Sequence, residues 1–166
     1  MAYTITAQVF QTNPNTFFRV VEKTTFKSTD GGNAWGESNG THVLTMDASG
    51  TSGSLRFLSD SGENFIITLG VHNFKRQAFP AYSLIVLINS CWHALNRWGD
   101  IVTNLTNGET GVIITPQYYG SEHPDRVAVR EAQLVSYSVE NAKGRTFAFN
   151  FVVAEGNDLK VNIVIG

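Results

Sequence analysis

The nucleophiles and potential metal ligands of this chain are few and widely separated. The four histidines, His42, His72, His93 and His123, occur without the H-x-x-x-H or C-x-x-C spacing that metal sites use. The single cysteine, Cys91, precedes His93 by only two residues, which does not suggest a nucleophile and its base but a buried or incidental thiol. Phosphate-binding, dinucleotide-binding and nucleophile-elbow motifs are absent. The sequence therefore predicts neither an enzyme nor a metal or other cofactor.

Another kind of polar group is concentrated at the ends of predicted strands. The stretches STDGG, ASGTSGS, VHN and DIVT offer hydroxyls, amides and backbone N–H groups without bulky side chains. Such groups suit sugars, because each sugar hydroxyl both donates and accepts and its pose depends on several well-placed partners. The alternative is that these stretches are ordinary turns, in which Gly, Ser and Asn predominate. The pattern alone favours turns.

Composition and charge narrow the class of protein. The 166 residues are enough for one domain with a sizeable core, 42% of them are hydrophobic, and only 16% are charged. Thr, Ser, Asn and Gly supply the remaining polarity, which is typical of all-β proteins. The net charge of −2 disfavours a nucleic-acid partner. The start, MAYTITAQVF, does not resemble a signal peptide, so we expect a soluble, cytoplasmic protein.

Alternating apolar residues predict strands at both ends of the chain. Tyr3, Ile5, Ala7 and Val9 share one face near the N-terminus, and further strands are predicted over residues 17–26, 41–46, 53–59 and 64–72. The C-terminal third repeats the pattern over residues 132–139, 145–156 and 159–165, where Phe147, Phe149, Phe151 and Val153 are predicted to share a face. Residues 28–40 are interpreted as a long Gly/Asn loop. The whole predicts a mainly β protein, a sandwich of two sheets.

The middle of the chain does not follow the strand pattern. Ile101, Val102 and Leu105 fall on one side of a predicted helix, and Asp100 is a plausible N-cap for it. The apolar run from 81 to 88 is interrupted by Ser83 and is far shorter than the roughly 20 residues of a transmembrane helix. We therefore expect a helical connection inside the sandwich and no transmembrane segment.

Several ordered segments resemble one family, the fungal fruit-body lectins. They are LTMDASGTSGSLRF, GVHNFKR, RWGDIVTNLT, PQYYG and NAKGRTFAF, together with both chain ends. The resemblance implies an actinoporin-like β-sandwich with a short helix–loop–helix connection, metal-independent binding of glycans and glycoproteins, and a homotetramer. It also implies two sugar sites per subunit and a role in fungal defence.

The first implied site is specific for galactose/N-acetylgalactosamine-type glycans such as the T-antigen. The resemblance assigns to it Thr29, Ser49, Gly50, His72 and Asn73. Ser49 and Asn73 would bond sugar hydroxyls, and Gly50 would let its backbone N–H approach the sugar closely. His72 would support or contact the ligand, or would instead be satisfied by backbone.

The second implied site is specific for terminal N-acetylglucosamine. It comprises Asp100, Ile101, Val102, Thr103, Arg126 and Tyr137, with Arg130 as the alternative arginine. Asp100 and Thr103 suit sugar hydroxyls, and the tyrosine suits stacking or a hydroxyl bond.

The chain departs from the family's residues at two places in the first site. These departures are Thr29 with Asp30, and Asp47 with Ala48.

A segment at about 77–97 interrupts this resemblance. Deleting 77–97 leaves the sequence HNFKR-WGDIVTNLT, which is continuous in the family. Deleting 76–96 gives the same sequence, because arginine stands at both position 76 and position 97. We interpret residues 1–166 as a single lectin domain carrying an insertion. A retained intron or gene-model artefact is favoured over a genuine surface loop or an evolved lid or oligomer contact.

The principal alternative function is a membrane-binding or pore-forming actinoporin-like protein. Such a toxin needs an amphipathic N-terminal segment that can become a helix. Residues 2–10 alternate like a strand instead, which favours the lectin.

Overall fold

The computed structural model describes residues 2–26, 34–72, 96–103 and 134–166. Ten strands occupy this part of the chain. They are β1 Tyr3–Gln11, β2 Phe18–Phe26, β3 Ala34–Ser38, β4 Thr41–Met46, β5 Thr51–Ser59, β6 Asn64–His72, β7 Asn96–Thr103, β8 Ser136–Glu140, β9 Thr146–Val153 and β10 Asp158–Ile165.

The strands form two sheets, so the predicted two-sheet β-sandwich is confirmed. The six-stranded sheet has the order β3-β4-β1-β10-β9-β8, and the four-stranded sheet has the order β2-β5-β6-β7. The two sheets also approach each other at their edges, where β2 contacts β3 and β7 contacts β8. Residues on both margins of the sandwich can therefore meet across the sheets.

The core lies between the sheets and is built by the alternation that the sequence predicts. Tyr3, Ile5 and Ala7 of β1 are buried, and β1 lies between β4 and β10, paired antiparallel with the first and parallel with the second. Phenylalanines from both sheets meet at one end of the core: Phe65 stacks on Phe57 at 4.7 Å between ring centroids and lies 4.2 Å from Phe147. Close aromatic pairs of this kind add to the stabilisation that burial of their surface provides.

Three expectations about local structure were wrong. Residues 34–38 belong to a strand, not a loop, because β3 pairs with β4 through a two-residue turn in which Asn39 and Gly40 both have positive φ. Residues 100–103 belong to strand β7, not to a helix capped by Asp100, because β7 pairs antiparallel with β6 along its whole length. Val153 is 38% exposed, because the β9–β10 register shifts between Lys160 and Val161.

The helix–loop–helix connection stays a prediction, since residues 104–133 lie outside those described. Within the described ranges no helix is long and apolar enough to cross a membrane.

Candidate functional site

One end of the sandwich gathers the described residues of the first predicted site. The turn between β4 and β5 carries Ser49 and Gly50, and β6 ends beside it at His72. The Gly50 N–H donates to the Val71 carbonyl oxygen at 2.7 Å, and Thr51 pairs with Val71 in the β5–β6 ladder. Ser49 and Gly50 therefore lie at one place with His72, which follows them by more than twenty residues in sequence.

Gly50 contributes to this end in another way than the sequence suggested. Its N–H is engaged by Val71, so this group is not free to approach a sugar. Its φ of 82° instead favours glycine, because most side chains are strained in that conformation. Ser49 beside it is half-buried. The turn thus presents a serine next to a position without a side chain.

The ends of β2 and β3 flank the same turn from the other side. Phe26 pairs with Ser52, and Ala34 pairs with Thr45, so the chain that contains Thr29 leaves and re-enters the described fold beside residues 45–52. Thr29 itself and Asn73, which follows His72, lie outside the described residues.

Two bonds between the sheets hold these strand ends, and sequence reasoning missed both. The Trp35 indole N–H on β3 donates to the Thr24 carbonyl on β2 at 2.9 Å. Lys23 on β2 forms an ion pair with Glu37 on β3, and this hydrogen bond lowers the pKa of the Glu37 carboxyl. Trp35 could have indicated that the Gly/Asn-rich stretch packs against the core, because tryptophan side chains are highly buried on average.

His42 has a structural role. It is buried in the six-stranded sheet with its Nδ1 3.6 Å from the Glu37 carboxylate. Burial lowers its pKa, more than the Glu37 charge raises it. A neutral histidine buried in a sheet contributes packing and no site chemistry.

The residues of the second predicted site divide between two facing strands, each of which lies at the edge of its sheet among the described residues. Asp100, Ile101, Val102 and Thr103 belong to β7, opposite Thr68, Ile67, Ile66 and Phe65 of β6. Tyr137 belongs to β8, which contacts β7 across the margin of the sandwich. The Tyr137 ring is half-buried and lies 6.3 Å from the Phe149 ring. Arg126 and its alternative Arg130 lie outside the described residues.

Comparisons with known proteins agree with this architecture. The model of the family described as fungal fruit body lectin matches residues 1–78 and 83–163. The chain is 43% identical to Boletus edulis lectin over 165 residues, which cover 99% of each protein. Crystal structures of Xerocomus chrysenteron lectin, one wild-type and one mutated at three positions, are 41% identical to the chain with a TM-score of 0.81. They match over 100% of this chain and 99–100% of theirs.

The family match extends over both sheets and both strand groups that carry the candidate sites. The match to the lectin from Boletus edulis covers 99% of this chain, and the match to the wild-type Xerocomus chrysenteron structure covers 100% of it. The chain belongs to the fungal fruit body lectin family and is a carbohydrate-binding lectin.

Proposed function

We propose that this lectin binds two classes of glycan at two separate places, without a metal ion. Galactose/N-acetylgalactosamine-type glycans such as the T-antigen bind at the end of the sandwich around Ser49, Gly50 and His72, with Thr29 and Asn73. Glycans ending in N-acetylglucosamine bind along the β7–β8 margin. The convergence of the β4–β5 turn, the end of β6 and the ends of β2 and β3 is the observation that carries the first site.

The chemistry of the two places differs in a way that suits two ligands. The first place is built from a serine, an amide, a histidine and a glycine that leaves room for a ring. The second combines an acidic position, Asp100, with the half-buried ring of Tyr137, and the proposal adds Arg126. A carboxylate accepts from two adjacent hydroxyls, and an aromatic ring packs against the apolar face of a sugar.

A glycan array on single variants tests the two-site proposal. Asn73→Ala should weaken binding to galacto-configured glycans at least tenfold, and Thr103→Ala should do the same for N-acetylglucosamine-terminated glycans, because each removes one polar partner of a sugar hydroxyl. The control is Asn150→Ala, which removes an exposed asparagine on the face of β9 opposite to Phe149, the residue paired with Tyr137.

Each outcome of the array is informative. Loss of different sugar classes by the two variants supports two sites. Loss of the same class by both would reduce the proposal to one site, and binding like that of Asn150→Ala in both would overturn it.

The proposal includes a homotetramer and a defence role, and it is favoured over pore formation. A pore-forming relative would have to release its N-terminal segment. Here β1 is paired on both sides, with β4 and with β10, and its inward residues Tyr3, Ile5 and Ala7 are buried. Releasing it would split the six-stranded sheet.

The 77–97 segment enters the proposal as an insertion that the fold does not require. Val71 pairs with Arg97 in the β6–β7 ladder. With 77–97 deleted, Arg76 takes the place of Arg97 and Lys75 that of Asn96, so residues 73–74 become a two-residue hairpin loop, the commonest length.

We therefore expect a chain lacking 77–97 to fold and to bind both glycan classes at least as well as the full chain. Circular dichroism and the same array would measure this. A deletion that unfolds the protein, or that abolishes binding, would show that the segment belongs to the domain.

A further inference from the structure

A groove lies at the end of the sandwich opposite Ser49 and Gly50. It has a volume of about 440 Å³ and lies between the β1–β2 connection and the β5–β6 turn. Its lining residues are Pro14, Asn15, Thr16, Phe17, Asp60 and Ser61. Strand β5 separates the two ends, from Thr51 to Ser59, which corresponds to about 27 Å at the rise of a β-strand.

Phe17 gives the groove an aromatic wall. Its neighbour Phe18 starts β2 and is buried in the core, and Phe17 is 63% exposed. No other large hydrophobic side chain of the described residues is as exposed. A solvent-exposed aromatic ring beside polar groups is the surface against which the C–H face of a sugar packs.

Both loops of the groove are held in place by hydrogen bonds. The Asn13 side chain accepts from the Asn15 N–H at 2.8 Å, and Gln11 bonds both the N–H and the carbonyl of Phe18. In the facing turn, the Ser59 hydroxyl accepts from the Glu63 N–H at 2.9 Å. A rigid groove loses little conformational entropy when it binds a ligand.

Hydroxyl groups on the groove floor have defined donor and acceptor roles. The Thr16 hydroxyl accepts from Arg145 Nη2 at 3.1 Å, which leaves its proton to donate outward. The Ser61 hydroxyl lies 3.0 Å from that of Ser59 and donates to Glu63 at 3.4 Å, which leaves an acceptor lone pair on it. A hydrogen-bond donor, Thr16, and an acceptor, Ser61, therefore lie on the two sides of the groove. The hydroxyls of a sugar can pair with both.

Charge restricts the ligand further. Asp60 is the one ionisable residue among the six that line the groove, so the lining is anionic. It forms an ion pair with Arg19 at 3.7 Å, in which the side chains are 63% and 72% exposed, and such a pair is weak and screened by solvent. The carboxylate accepts from neighbouring hydroxyls of a neutral ligand and repels an anionic one.

We propose that this groove is an additional carbohydrate subsite, which binds a neutral pyranose with its apolar face on Phe17 and adjacent hydroxyls on Asp60. The subsite is independent of the two places described above, since it lies at the other end of β5 and uses none of their residues. A glycan bound there would add a third attachment point on the same subunit.

Ligand-observed NMR titration with neutral methyl glycosides of galactose, glucose, mannose and N-acetylglucosamine tests the subsite. The parent protein is the full chain carrying Asn73→Ala and Thr103→Ala, which reduces binding at the other places. At least one glycoside should bind this parent, at least fivefold more weakly after Phe17→Ala, and more weakly after Asp60→Asn. Phe10→Ala is the matched control, because Phe10 is another exposed phenylalanine, 40% exposed on β1.

The outcomes separate this subsite from the two-site proposal. The subsite is overturned if no neutral glycoside binds the parent, if Phe17→Ala binds like Phe10→Ala, or if methyl glucuronide gives the strongest Phe17-dependent binding. If Asn73→Ala and Thr103→Ala leave the array unchanged, the two-site proposal fails. The effect of Phe17→Ala relative to its own parent still reports on the groove.

Discussion

Replacing Arg145 by alanine is expected to lower the free energy of unfolding by about 3–5 kcal/mol, because it leaves a buried carboxylate without its guanidinium partner. Arg145 Nε and Nη2 donate to the two oxygens of Glu63 at 3.0 and 3.1 Å. The side chains are only 11% and 7% exposed. A two-bond guanidinium–carboxylate pair of this kind combines charge with fixed geometry.

Arg145 also connects four separate segments at this end of the sandwich. Besides the β5–β6 turn that carries Glu63, it donates to the Gly166 carbonyl at the C-terminus and to Thr16 in the β1–β2 connection, each at 3.1 Å. Its guanidinium lies 5.4 Å from the centre of the Phe18 ring. The loss should therefore exceed that of one ion pair and should also loosen the groove beside Phe17.

Lys143 supplies a matched control for Arg145. It lies in the same turn and approaches the same carboxylate at 3.8 Å, but its side chain is 62% exposed. Lys143→Ala should cost no more than about 1 kcal/mol. Urea unfolding of both variants measures the difference, and equal losses would contradict the role given to Arg145.

Acidification gives an independent check on the pair. The hydrogen bond from Arg145 lowers the pKa of Glu63 in spite of its burial, with a smaller contribution from Asn141. The folded pKa is thus below the unfolded one, so the stabilisation is complete above the unfolded pKa and is lost as pH falls through the folded value. The gap between wild type and Arg145→Ala should be largest near neutral pH and should narrow in acid.

Local pattern was sufficient for the strands that contain enough apolar residues of their own. The bounds predicted for β4 and β6 agree with the structure, because apolar residues alternate along β4 and β6 has a continuous apolar run bounded by turn residues. β3 and β7 were missed because pairing decides them: β3 contains little apolar sequence apart from Trp35, and β7 has a spacing that also fits a helix. In both, a neighbouring strand supplies the stabilisation that intrinsic propensity does not.

The candidate sites depend even more on contacts between distant residues. Ser49 and His72 meet through the β5–β6 register, and Glu63 and Arg145 meet across 82 residues of sequence. No local spacing encodes either pair. The resemblance to a lectin family supplied the first group, whereas the Phe17 groove and the Arg145 cluster emerged only once the turns were positioned.

Gly53→Ala is expected to lower the free energy of unfolding by about 2–3 kcal/mol, in the upper part of the range for overpacked sites. A Cβ at Gly53 would lie 2.7 Å from Trp35 Nε1 and 2.8 and 2.9 Å from the two terminal carbons of Leu44. Leu44 is completely buried and has little freedom to move away. Displacing Trp35 would also stretch its hydrogen bond to Thr24, one of the two bonds that join β2 to β3.

Gly36→Ala is the matched control, since Gly36 also lies inside a strand but its nearest atom to a new Cβ is 3.9 Å away. Adding Leu44→Ala tests the cause, because it removes the two terminal carbons that the new methyl would meet. If crowding is responsible, Gly53→Ala should cost clearly less in the Leu44→Ala background than in the wild type, as contacting residues are not additive. If Gly53→Ala and Gly36→Ala lower the free energy of unfolding equally, the two sheets can move apart at Gly53 at little cost. The Trp35 bond would then have little part in holding the strand ends beside the first sugar site.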